Sequence, residues 1–127
     1  MEVTTHRGQG PLQQVIEIGP HRLLTDVGPE SGGEGSGPEP HDLLAAALAA
    51  CTTLTVNLYA KRKGWQLDEV QVTVRHGQEG AAYALHRSIH YVGALSEEEK
   101  QRLTDIANKC PVHKTLSGQI QITTEAE

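Results

Sequence analysis

Two cysteines, Cys51 in "LLAAALAACTTLTV" and Cys110 in "NKCPVHKTL", are the residues of this 127-residue chain best suited to chemistry. A cysteine can pack as a small hydrophobe, hold a metal, or act as a thiolate nucleophile. Cys51 falls among Leu44, Leu48, Leu54 and Leu58 of an apolar run. There it packs as a core residue unless the fold brings a cation to it. Cys110 directly precedes Pro111, a residue suited to the first turn of a helix. A thiol at that cap meets unpaired N–H groups and the positive end of the helix, both of which favour thiolate. Cys110 also continues the stripe Leu103, Ile106, Ala107, so a core role stays open beside the reactive one.

Metal binding is the rival chemistry. Cys110 and His113 form a C-x-x-H pair, and His86 and His90 share one face of a strand. Zinc commonly takes four ligands arranged as two such pairs, and the sequence offers one. The hydrolase signature G-x-S-x-G, a P-loop and G-x-G-x-x-G are all lacking.

The elements that must position these thiols follow from periodicity. "VTTHRG", "QQVIEI" and "HRLLTDV" read as three short strands, and "GPESGGEGSGPEP" as a loop. Residues 41 to 64 form a helix, with Pro40 and Asp42 at its start, Lys61, Arg62 and Lys63 at its end, and Gly64 as the stop. From Leu43 to Leu54 it has no polar face, so it is expected to be buried on all sides, shared with a second chain. "LDEVQVTVRH" alternates as a half-buried strand, "GQEGA" turns, and "AYALHRSIHYV" returns with Tyr83, Leu85, Ile89 and Tyr91 on one face. Arg87 has the same parity and projects from that apolar row, as the candidate cation or as an ion-pair partner between subunits. Ser96 and Glu99 make a capping box ahead of a further helix, "PVHKTL" gives a short one, and "QIQITT" closes the chain as a strand. The order predicts one α+β domain over 1–127, with helices on one face of antiparallel sheet.

Composition narrows the partners. With three Tyr, one Trp and no Phe, the core must be built from Leu, Ile, Val and Ala. A formal net charge of -5 without a basic stripe argues against nucleic acid. The first twenty residues hold no signal-peptide run, and no stretch is expected to reach membrane-spanning length. The expected compartment is the cytoplasm, where paired thiols are normally reduced and a disulfide is transient.

Taken together, "GGEGSGPEPHDLLAAALAACT", "YAKRKGW", the hairpin and "IANKCPVHKTL" resemble the OsmC/Ohr family, the osmotically inducible and organic-hydroperoxide-resistance proteins. The likeness runs from about Arg7 to Thr123. It implies an intertwined homodimer with two long helices buried at its centre. It also implies a thiol peroxidase that needs no metal or organic cofactor. Cys51 matches the cysteine that attacks an organic hydroperoxide, and Cys110 the one that resolves the sulfenic acid into a disulfide. A dithiol such as a lipoyl group is the implied reductant. This order of roles reverses the one that local chemistry suggests. Arg7 in "HRGQG" matches the arginine that supports the attacking thiolate, and Arg22 is a weaker match. The chain departs from the family's peroxidases at one point. They carry a glutamate ten residues before the first cysteine, and His41 stands there, between Glu39 and Asp42. Asp42, nine positions from Cys51, falls on the opposite side of the helix and reads as a first-turn charge. The departure leaves an alternative open: a non-catalytic dimer that binds an apolar ligand or senses redox state.

Overall fold

The computed structural model describes Met1–Glu127 and has the order β1 (Val3–Arg7), β2 (Gln14–Ile18), β3 (His21–Thr25), a 3-10 turn, α1 (Pro40–Lys63), β4 (Glu69–Glu79), β5 (Ala82–Val92), α2 (Glu97–Ala107) and α3 (Pro111–Ser117). The α+β class stands, but the strands form two separate antiparallel sheets, β1-β2-β3 and β4-β5. The chain divides into two compact units, Met1–Leu44 and Ala45–Glu127.

In the first unit, β1 pairs with β2 and β2 with β3, with Thr5 opposite Ile16 and Ile16 opposite Leu23. The glycine-rich loop after β3 is organised by Asp26. Its carboxylate accepts from the N–H groups of Val27 (2.8 Å), Glu34 (3.2 Å) and Ser36 (3.1 Å), and from the Ser36 hydroxyl (2.6 Å). Gly33 has to be glycine here, because a Cβ would collide with the Val27 carbonyl.

In the second unit, α1 stops as the sequence predicts. Gly64 adopts φ +71°, and Trp65 N–H reaches back to the Ala60 carbonyl at 3.0 Å. The hairpin turn is shorter than "GQEGA": β4 runs on to Glu79, which sits opposite Ala82, leaving Gly80 and Ala81 to turn. Gly80 supplies the left-handed conformation that so tight a turn needs, at φ +60°. Ser96 and Glu99 form the predicted capping box on α2. Val56, Ala60, Val70, Leu103 and Ala107 close the core, with Trp65, Ile89 and Tyr91 packed against it.

Three expectations need correction. α1 is not buried on all sides. Ala45, Leu48, Thr52, Val56 and Ala60 make one buried stripe, while Leu54 and Leu58 are 64% and 60% exposed. A lone chain of this size covers one face of the helix and no more. "QIQITT" forms no strand, and Ile120 and Ile122 are exposed; an alternating segment becomes a strand only where a neighbour takes its N–H and C=O groups. Finally, α1, a helix of 24 residues, is long and apolar enough to cross a membrane by length and composition, with mean hydropathy 1.6 over its most apolar stretch. Its charges gather at the two ends, which leaves the middle apolar. The core helix of a soluble protein passes the same test.

Candidate functional site

The fold of the second unit brings the two cysteines to one turn of backbone. Cys51 lies midway along α1 and is half-buried; Cys110 caps α3 and is fully buried. α2 ends at Ala107, a tight corner follows, and Pro111 starts α3 with its missing N–H at a position where none is needed. The next two N–H groups then face sulfur. Val112 N–H donates to Cys51 Sγ at 3.5 Å, and His113 N–H donates to Cys110 Sγ at 3.4 Å. Both thiols are free. Residues 61 and 58 positions apart in sequence meet here, since Thr52 Oγ1 also stands 3.9 Å from Cys110 Sγ.

Thr52 explains itself by its neighbours. A fully buried hydroxyl costs free energy unless it is hydrogen-bonded. This one donates to the Leu48 carbonyl at 2.7 Å and accepts from Arg87 Nη1 at 2.9 Å. Arg87 Nη1 also donates to the Ala107 carbonyl (3.3 Å), and Nη2 reaches Asn108 Oδ1 (2.8 Å) and His113 Nδ1 (3.1 Å). A cavity of about 220 Å³ adjoins, lined by Leu48, Tyr83, Leu85, His113, Leu116 and Ser117. Its wall is mixed, with Leu48, Leu85 and Leu116 set against Tyr83, His113 and Ser117, and His113 links it to the cysteine turn.

A family model of OsmC-like proteins matches residues 33–125, which covers both cysteines and the whole second unit up to its last two residues. The chain belongs to the OsmC-like family. A search of the curated proteins finds no match. Solved structures with the same fold include an organic hydroperoxide resistance protein from Legionella pneumophila, 24% identical over 92% of this chain and 88% of that one, TM-score 0.67. An OsmC-like protein from Mycoplasma pneumoniae is 24% identical over 92% and 86%, TM-score 0.73. An organic hydroperoxide resistance protein from Elizabethkingia anophelis is 23% identical over 94% and 89%, TM-score 0.67. At these identities the likeness establishes the fold.

Within this OsmC-like chain the arginines differ. Arg87, singled out by its place on an apolar row, contacts the residues that flank both sulfurs. Arg7 ends β1 in the first unit, opposite Gln14, and is exposed; the chain then turns with Gly8 N–H on the Gln13 carbonyl at 2.8 Å. Arg22 pairs across the β2–β3 ladder with Glu17 at 2.8 Å, and that hydrogen bond is the main cause holding the Glu17 carboxyl below its usual range. Asp42 is a first-turn charge as read, its Oδ2 accepting from Glu39 N–H at 3.0 Å. His86 and His90 are exposed on the face of β5 opposite Arg87, and His113 Nδ1 faces Arg87. No group of three or more His, Cys, Asp or Glu is placed to share a metal ion. Sequence reasoning missed Thr52 and Asn108. Thr52 had a visible signal, as the one polar residue on an apolar helical stripe. Asn108 had none.

Proposed function

We propose that this chain is a thiol-dependent reductase of organic hydroperoxides, working in the cytoplasm as a single-domain subunit of a homodimer. The observation that carries the reading is the pair of thiols held on adjacent N–H groups, those of Val112 and His113. Membership of the OsmC-like family, in a fold shared with organic hydroperoxide resistance proteins, supports it. The two cysteines divide the work by access. Cys51, half-buried, is the one proposed to meet substrate; Cys110, fully buried, is the one proposed to resolve it.

The Cys51 thiolate attacks the distal oxygen of ROOH, the O–O bond breaks, and RO⁻ leaves to take up a proton as ROH. Arg7 is the cation proposed to support the thiolate and the departing alkoxide. Cys110 then attacks the sulfenic sulfur of Cys51, the S–O bond breaks, and hydroxide leaves with a proton as water. A dithiol such as a lipoyl group exchanges with the resulting disulfide and restores both thiols. The cavity beside His113, with Leu48, Leu85 and Leu116 in its wall, suits the organic part of the substrate. Homodimerisation is supported by Leu54 and Leu58 on α1 and by the unpaired Ile120 and Ile122. Covering each such side chain gains about 1.5–3 kcal/mol.

The test is peroxide consumption by purified protein with reduced lipoamide and an alkyl hydroperoxide. Wild type is expected to turn over, Cys51→Ser to be inactive, and Cys110→Ser to complete one turnover and stop with a trappable sulfenate. A wild-type protein that consumes no hydroperoxide overturns the assignment. The same cavity favours a second reading, a dimer that binds an apolar ligand without catalysis. It predicts both thiols unchanged by mass after a stoichiometric peroxide pulse.

A further inference from the structure

Arg87 has no part in the scheme above, yet its guanidinium joins the three elements that carry or flank the sulfurs. It grips α1 at Thr52, the end of α2 at Ala107, the corner at Asn108 and α3 at His113. Guanidinium nitrogens only donate, so His113 Nδ1 accepts and the imidazole proton sits on Nε2. None of these four partners is a carboxylate. The planar fork of Arg therefore acts as a rigid bracket between neutral groups. Thr52 is the residue after Cys51, and its hydroxyl oxygen stands 3.9 Å from Cys110 Sγ. His113, held through its ring, donates its backbone N–H to the same sulfur.

We propose that Arg87 is the positioning residue for disulfide closure, holding the α2–α3 corner against α1 so that Cys110 Sγ stays in line with a leaving group on Cys51. Its biological use rests on the two-cysteine reading above. The chemistry does not, because closure can be driven by any leaving group on the Cys51 sulfur.

One equivalent of methyl methanethiosulfonate supplies such a group without peroxide. The Cys51 thiolate attacks its sulfenyl sulfur and methanesulfinate leaves, giving Cys51–S–S–CH3. The Cys110 thiolate then attacks the Cys51 sulfur, and methanethiolate departs and is protonated. Quenched mass spectrometry of the whole chain follows both steps. Arg87→Met is expected to load the methylthio group at the wild-type rate but to close about tenfold more slowly or worse, since it removes all four hydrogen bonds and the loss of one charged hydrogen bond alone predicts about that factor. The singly modified chain then accumulates. Arg87→Lys, which keeps the charge and a single donor nitrogen, is expected to recover part of the rate. Asn108→Ala removes a single exposed contact and leaves the core intact; roughly threefold slower closure is expected.

Wild-type closure rates in both Arg87→Met and Asn108→Ala overturn the proposal. So does a wild-type chain that loads and never closes, or an Arg87→Met in which both steps accelerate alongside an unaffected Asn108→Ala, the mark of a merely structural role. Slow closure in the variants of a protein that reduces no hydroperoxide upholds the bracket and removes the peroxidase reading. Peroxide turnover with unslowed variants does the reverse.

Discussion

In the first unit only Ile16 and Asp26 are buried, whereas the second closes around Val56, Ala60, Val70, Leu103 and Ala107. All five residues of β1 are exposed. What orders the first unit is directional: sheet ladders, the Glu17–Arg22 pair, and the Asp26 carboxylate tying down its loop. What orders the second is apolar burial, and the two cysteines sit there, next to the core. The contrast has a physical meaning. Hydrogen bonds to water compete with every bond that orders the first unit, so each contributes modestly. Burial at Leu103 and Ala107 has no such competitor, and it fixes the corner that carries Cys110.

Leu103→Ala tests the contrast most severely. The side chain is fully buried on α2, and deleting it leaves a cavity that costs about 2–5 kcal/mol. Val3→Ala, at a strand position 57% exposed, is expected to stay within about 0.5 kcal/mol. Denaturant midpoints at constant m check both. A much larger loss at Val3 would mean that a second chain covers the strand, and the comparison would then hold only for the lone chain.

Asp26 gives the next effect, and it depends on pH. Hydrogen bonds from the Ser36 hydroxyl and N–H, and from Val27 and Glu34, hold its carboxyl at about 2, against an ordinary value of 3.8. A depressed carboxyl contributes stability above its unfolded value and loses it as pH falls through the folded one. The contribution is therefore full above about pH 4 and fades toward pH 2. Protection of the Val27, Glu34 and Ser36 amides from exchange, taken relative to their intrinsic rates, is expected to fall across that window in the wild type. Asp26→Asn is expected to melt lower at neutral pH, with the gap to wild type narrowing on acidification. A constant gap would mean that the carboxylate does not order the loop.

The local features were legible in the sequence because their causes are local. The Ser96–Glu99 box, the stop at Gly64 and the cap at Cys110 each depend on residues within one turn, and all three formed. The polar residue in the stripe Ala45, Leu48, Thr52, Val56, Ala60 was visible too, but its partner Arg87 lies 35 positions away and no spacing links the two. Arg87 stood out for breaking an apolar row, not for what it would touch. The misreadings concern groups that need something outside the chain's own pattern. Apolar residues all round α1 lead the sequence to predict burial on every side, and the single chain supplies cover for one stripe. "QIQITT" alternates correctly for a strand, yet alternation cannot provide the neighbouring edge.

The smallest expected effect asks whether a directional bond matters less where a core lies beneath it. Ser96 is the counterpart of Asp26 in the second unit: its hydroxyl accepts from Glu99 N–H at 3.1 Å, and the Glu99 carboxylate accepts from Ser96 N–H at 2.8 Å. Both devices satisfy backbone donors that would otherwise face solvent unpaired. Ser96→Ala is expected to cost about 0.5–2 kcal/mol, the usual value of a lost N-cap. Because serine does not titrate, the loss should be the same at pH 3 and pH 7, unlike that of Asp26→Asn. The reaction of Cys51 with an alkylating agent should be unchanged, since Leu103 and Ala107 still anchor the helix that leads to the cysteine corner. Faster alkylation in Ser96→Ala would show that the cap, and not the core, holds α2 in register with the site.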